Sequence, residues 1–91
     1  MPARSWRPEP GDVLSGTVWK VAEIDPKGKG EYPIIDVRSP DTGRRHVCHG
    51  YRSKDAIRAL DLRRGDVVRI ECIGFGAFKI DIEERGSLVS Y

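Results

Sequence analysis

Between Gly11 and Asp25 the chain alternates with the period of a strand: Leu14 and Val18 share one parity, and Gly16 sits between them. A run this long, rich in β-branched and aromatic residues and opened by the turn pair Gly11-Asp12, predicts a long first strand. A glycine inside a strand marks a bulge, a bend or a close backbone approach. A strand bent at its own glycine can pair along each half with a different partner, which is how small barrels close.

The rest of the chain supplies partners for such a strand. Residues 25–31 (DPKGKGE) read as a loop. A second strand is expected over 32–39 (YPIIDVRS), with Ile35 and Val37 inward and Ile34, Asp36 and Arg38 outward. Residues 40–43 (PDTG) have the composition of a tight hairpin turn. A third strand follows over 44–51, in which Arg44, His46 and Cys48 face outward if Val47 faces the core. The period then changes. Ser53 suits an N-cap, Asp55 the first turn, and Ala56, Ile57 and Leu60 fall on one helical face. Arg63 and Arg64 in the last turn, with Gly65 closing it, complete a short helix over about 54–62. Alternation returns from Asp66 with Val68, Ile70 and Cys72 on one side, then a Gly74-Phe75-Gly76 connection, then Phe78, Ile80 and Ile82 in a fifth strand. Residues 1–10 hold three prolines and read as an extended arm carrying Arg4, Trp6 and Arg7. Residues 11–85 form the domain, and 86–91 (GSLVSY) a tail.

Composition narrows the class. With 91 residues, 38% of them hydrophobic, the chain suits one domain with a thin core. Charged residues make up 33% of it, but the signs are interspersed, which argues against disorder. No apolar run approaches the roughly 18 residues of a membrane span. No apolar stretch follows the N-terminal arginines, so a secretory signal is not expected. Two cysteines without a signal point to free thiols and a cytoplasmic location. The net charge of +2 is small, but residues 44–64 carry seven Lys or Arg against two Asp, a local +5. A basic middle segment suits contact with a polyanion.

The order is three strands, a short helix and two strands, and the first strand opens G-D-V-x-x-G-x-V (Gly11–Val18), with a later R-G-D-x-V (Arg64–Val68). Over residues 11–84 this resembles the OB-fold domains that bind single-stranded nucleic acid. The resemblance implies an all-β protein with one short helix: a five-stranded Greek-key barrel, order β-β-β-α-β-β, whose helix plugs one end between strands three and four. An SH3-like barrel is the structural competitor, and the helix argues against it.

Such domains stack bases on aromatic side chains and hold phosphates with Lys and Arg across strands two and three and the flanking loops. Carried onto this chain, that singles out Trp19, Tyr32 and Tyr51 for stacking, and Lys27, Lys29, Arg38, Arg44, Arg45 and His46 for backbone and base contacts. Each has a plainer role. Trp19 faces out if the register survives Gly16, but a bulge would turn it into the core. Tyr32 and Tyr51 suit a barrel rim, and Lys27 and Lys29 a solvated loop. The arginines suit cross-strand ion pairs with Asp36 and Asp41, each worth a few tenths of a kcal/mol. Phe75 and Phe78 are assigned to the core.

His46, Cys48 and His49 offer metal-ligand chemistry, but on a strand at most two of them face one ion, so no metal site is expected. No nucleophile-base pair, phosphate-binding loop or paired-carboxylate motif is present, so neither a cofactor nor enzymatic activity is expected. The leading expectation is non-specific binding of single-stranded DNA or RNA. The alternative is an adaptor that contacts another protein through the barrel surface, the Trp6 arm or the SLVSY tail.

Overall fold

The computed structural model describes residues 3–86, half of them in strands, so the protein is all-β with one short helix. The strands are β1 (Arg4–Ser5), β2 (Val13–Ile24), β3 (Tyr32–Arg38), β4 (Arg45–His49), β5 (Val67–Gly74) and β6 (Ala77–Glu84), with α1 (Lys54–Leu60) between β4 and β5. They make one sheet in the order β1-β4-β3-β2-β5-β6. No helix among the described residues is long and apolar enough to cross a membrane.

The long β2 organises this sheet. Its first part, Val13–Thr17, is antiparallel to β5, and Thr17–Ile24 is antiparallel to β3, so Thr17 faces both Val67 and Arg38. The changeover lies at Gly16, where a Cβ would overlap the Arg38 carbonyl oxygen and press on the Val37 side chain. Only a residue without a side chain lets the two strands approach this closely. The inner faces of all the long strands then converge on one core: Leu14 and Val18 from β2, Ile35 and Val37 from β3, Cys48 from β4, Val68, Ile70 and Cys72 from β5, and Phe78 from β6.

The five-stranded closed barrel is corrected in one respect: the sheet has six strands and is not closed. Both edges that would have met are occupied by other segments. The arm pairs β1 with β4 in parallel, Arg4 opposite His46 and Ser5 opposite Val47. At the start of β6, the Phe78 amide donates to Ser53 Oγ at 3.0 Å, and Gly76 O accepts from Arg52 N at 3.0 Å. The arm then crosses from β4 to β5. Trp6 N donates to Val47 O, Trp6 stacks on Phe78 with ring centroids 5.7 Å apart, and Gly11 N donates to Cys72 O. With the edge of β4 and the start of β6 bonded in this way, the two strands form no ladder with each other.

Several local expectations change for similar reasons. Ser53 does not cap α1 with its side chain, because its hydroxyl is committed to β6. The helix ends at Asp61, in the left-handed conformation at φ 48°, rather than at Gly65. Ile57 is buried and Leu60 packs against the core, whereas Ala56 is exposed; Leu62, just past the helix, is buried instead. On β4 the facing is inverted. His46 lies opposite Val37 and Cys48 opposite Ile35, so Cys48 is fully buried and Arg45, Val47 and His49 take the outer parity. A small thiol fills the space opposite Ile35 at no polar cost, which decides the register. Phe78 is core as expected, but Phe75 stands 66% exposed at the tip of the β5–β6 turn. Asp36, on the outer parity of β3, is buried.

One polar group locks the return from α1 into β5. The Asp66 side chain is 2% exposed; it accepts from Arg63 N at 2.9 Å, from Gly86 N at 2.7 Å and from Arg85 Nη1 at 2.9 Å. Arg85 also donates to the carbonyls of Leu60 and Asp61, at 2.8 and 3.1 Å, and so satisfies orphan carbonyls at the end of α1. Burial raises the Asp66 carboxyl and is the largest single influence. The two backbone donors and Arg85 together outweigh it and hold the group below the ordinary 3.8.

Two predictions follow from this packing. Gly16→Ala should lower the unfolding free energy by about 1–3 kcal/mol or more, read from the urea midpoint, because neither Arg38 O nor Val37 can give way cheaply. Asp66→Asn should cost about 1–3 kcal/mol, because an amide cannot accept from all three donors. A carboxyl with a lowered folded pKa contributes stability above its ordinary value and loses it as pH falls through the lowered one. The wild type should therefore lose stability below about pH 4, and Asp66→Asn should flatten that acid limb in melts run across the range.

Candidate functional site

Two residues past Gly16, β2 carries a bulge. Val18 lies opposite Val37 and Lys20 opposite Asp36, so Trp19 is the extra residue. Val18 meanwhile bonds the loop before β5: its amide donates to Asp66 O at 2.8 Å, and its carbonyl accepts from Gly65 N at 2.9 Å. That pairing brings the neighbouring Arg64 onto the indole of Trp19, with the guanidinium carbon 3.9 Å from the ring centroid. Arg45 approaches the same ring at 5.5 Å. The outcome for Trp19 lies between the two expected for it: a bulge is present, yet the ring is only half-buried and forms the wall of a surface cleft.

This cleft, of about 630 Å³, is lined by Trp19, by Arg38 at the end of β3, by Thr42, Gly43 and Arg44 of the turn, by Arg45 and His46 of β4, and by Arg4 of β1. The β3–β4 ladder sets Arg38 directly opposite Arg45. Like charges facing each other across a ladder are unfavourable unless something negative is nearby. Asp36 supplies part of that charge, with Oδ2 at 3.4 Å from Arg45 Nη1. Its other oxygen, Oδ1, is buried without a partner. The ion pair expected for Asp36 is thus present, whereas Asp41 pairs with no arginine among the described residues. Of the seven cations in the basic segment, Arg45, Arg58 and Arg63 have carboxylate partners. Arg44 and Arg64 have none among the described residues, and neither do Arg4 and Arg38.

The other expected residues gather at the far end of β3. Lys27, Lys29, Tyr32 and Tyr51 line a second cleft with Asp25 and Lys54. The two tyrosine rings meet edge to face at 6.0 Å, and a Cβ at Gly76 would overlap the Tyr51 ring, which lies against that backbone. Tyr32 Oη and Ser5 Oγ each lie 3.1 Å from a nitrogen of His49, Nδ1 and Nε2 respectively. Burial above all, with the Arg7 charge adding to it, holds His49 below its ordinary value. At neutral pH its ring is therefore uncharged, one nitrogen accepting and the other donating. Six residue steps along β3 separate Tyr32 from Arg38, about 20 Å. The nine expected site residues therefore form two clusters, not one patch.

Two arginines of the first cluster were missed. Arg64 reads from sequence as a helix-terminal cation, and Arg4 as part of an arm. Their place beside Trp19 is set by long-range pairing, which leaves no local signal. Trp6, a candidate for partner contact, is half-buried on Phe78 and so belongs to the core's margin. Of the GSLVSY tail, residues 87–91 lie outside the described residues.

No protein-family model matches this chain, and neither a curated protein nor a solved structure matches it.

No three His, Cys, Asp or Glu side chains converge as a metal cluster among the described residues. Cys48 and Cys72 are free and buried. Burial, with Cys72 adding to it, pushes the Cys48 thiol up to about 12. A chromogenic disulfide reagent at about pH 8 should accordingly leave Cys48 unmodified in the folded protein and titrate both thiols in urea. Rapid native reaction at Cys48 would contradict this burial.

Proposed function

We propose that this chain is an OB-type domain that binds single-stranded DNA or RNA with little sequence preference. Support for the fold comes from strand order: β2–β6 run β4-β3-β2-β5-β6 in the sheet, with a helix between β4 and β5 and a long strand bent at glycine. In this reading the sixth strand is an addition from the arm. The observation that carries the function is the Trp19 cleft, an aromatic face at a surface where Arg4, Arg38 and Arg44 line the cleft and Arg64 lies on the ring, none with a carboxylate partner among the described residues. Stacking on an indole tolerates any base, and guanidiniums recognise phosphate whatever the sequence. The Tyr32–Tyr51 cluster, with Lys27, Lys29 and Lys54, extends the path along the β3–β4 hairpin. No catalytic step and no cofactor belong to this function.

The adaptor reading keeps one observation in its favour. Ile73 and Phe75 are 60% and 66% exposed at the β5–β6 turn, an apolar tip that suits a protein contact. It predicts retention of a partner that is lost in a Phe75→Ser variant, with no effect of oligonucleotides.

Titration of the protein with oligo-dT or oligo-U at two salt concentrations tests the nucleic-acid reading. Tryptophan emission should be quenched, and a Trp6→Phe background assigns the signal to Trp19. With three to five phosphates neutralised, log K against log salt should have a slope of about −2 to −3.5. Trp19→Ala should cost about 1–3 kcal/mol of binding, and Arg44→Ala should flatten the slope by about 0.7. A folded sample that binds neither oligonucleotide at low salt overturns the proposal.

A further inference from the structure

The two clusters differ in their cations. The tyrosine end offers lysines, compact charges on flexible stems, while the Trp19 end offers only arginines, whose planar forks grip phosphate oxygens in pairs. Four separate segments bring them together: Arg4 from β1, Arg38 from β3, Arg44 and Arg45 around the turn, and Arg64 from the loop before β5. Asp36 compensates Arg45, which leaves Arg4, Arg38 and Arg44 in this cleft without a carboxylate partner among the described residues, while Arg64, on the ring itself, lines the adjoining cleft.

From this arrangement we infer that the Trp19 cleft takes a nucleotide bearing two or three consecutive phosphates, met either as the 5′ end of a strand or as a free nucleotide. The inference rests on the reading of this cleft as a nucleic-acid surface and adds which part of the ligand it holds. An internal nucleotide presents one phosphate charge. A terminal phosphate carries about −1.5 to −2, and each further phosphate in the chain adds about one more, so a di- or triphosphate carries roughly −3 to −4. Only the latter balances the three guanidiniums of the cleft, Arg4, Arg38 and Arg44, that have no carboxylate partner among the described residues.

The shape agrees with the charge. Arg64 lies on the indole at 3.9 Å and Arg45 approaches it at 5.5 Å, so the ring has room for at most one base. The cleft's volume of about 630 Å³ falls in the range of small-ligand sites, roughly 300–1,000 Å³. A terminal nucleotide needs one stacked base with its phosphates clustered beside it, whereas a strand passing through needs a track.

Oligo-U decamers with an internal fluorophore, differing only at their ends, distinguish these cases by anisotropy. The 5′-triphosphate should bind about tenfold or more tighter than the 5′-hydroxyl form, with the monophosphate between them. Arg44→Ala and Arg38→Ala, both at exposed positions that leave the core intact, should each erase most of that difference. A decamer with a 3′-phosphate should gain little. Equal affinity for all ends, or an equal gain from the 3′-phosphate, overturns the inference while leaving strand binding in place. Should free UTP compete as well as the triphosphorylated decamer, the polyphosphate site stands and its source is a free nucleotide. Binding of UTP with no binding of any decamer would support the cleft and remove the strand-binding reading. Loss of both removes the two together.

Discussion

The close approach of Gly16 to the end of β3 is the contact on which the rest of this structure depends. Because no Cβ stands between Gly16 and the Arg38 carbonyl, β2 can leave β5 and join β3 without a break in its ladder. Every inner-face residue takes its direction from that bend, since a sheet that did not turn there could not enclose Val18, Ile35, Val37, Val68 and Ile70 in one core. The bulge at Trp19 follows within three residues. It adds to the local bend and twist and turns a large ring away from the ladder toward the surface.

A second, polar constraint works beside it. The loop from α1 to β5 would otherwise be a surface crossing with little to hold it. Instead Asp66 anchors it to Arg63, Arg85 and Gly86, and Val18 pairs with Gly65 and Asp66. Arg64, between the two anchored stretches, has its backbone fixed on both sides, so its guanidinium is delivered to Trp19 at little further entropic cost. A buried carboxylate with three donors, which lines neither cleft, thus helps to set the geometry beside Trp19.

The outer face of the β3–β4 hairpin thus carries unlike ends, arginines with a tryptophan at one and lysines with paired tyrosines at the other. That polarity gives the proposed binding a direction. A strand lying along the hairpin would meet different chemistry at its two ends, and under the proposal its phosphate-rich terminus would lie at the arginine end. The arm contributes to both, with Arg4 in the first cleft and Ser5 bonded to His49 beside the second.

What the sequence determined by itself is the set of local periods. The long first strand, the hairpin turn, the short helix, the paired final strands and the special role of Gly16 were all legible, because alternation, turn composition and glycine in a strand are written in neighbouring residues. The aromatic and basic candidates were legible as residue types. What only the tertiary structure decided is where they meet. The facing of β4 was set by the fit of Cys48 opposite Ile35, against an equally regular alternative that differs by one residue of register. Phe75 left the core because the turn places it at the tip, although its composition argued for burial. The open sheet reflects an arm that satisfies the edge of β4 before β6 can. Arg4 and Arg64 reached Trp19 through long-range pairings, Arg4 opposite His46 and Gly65 bonded to Val18, and such contacts leave no trace in local pattern.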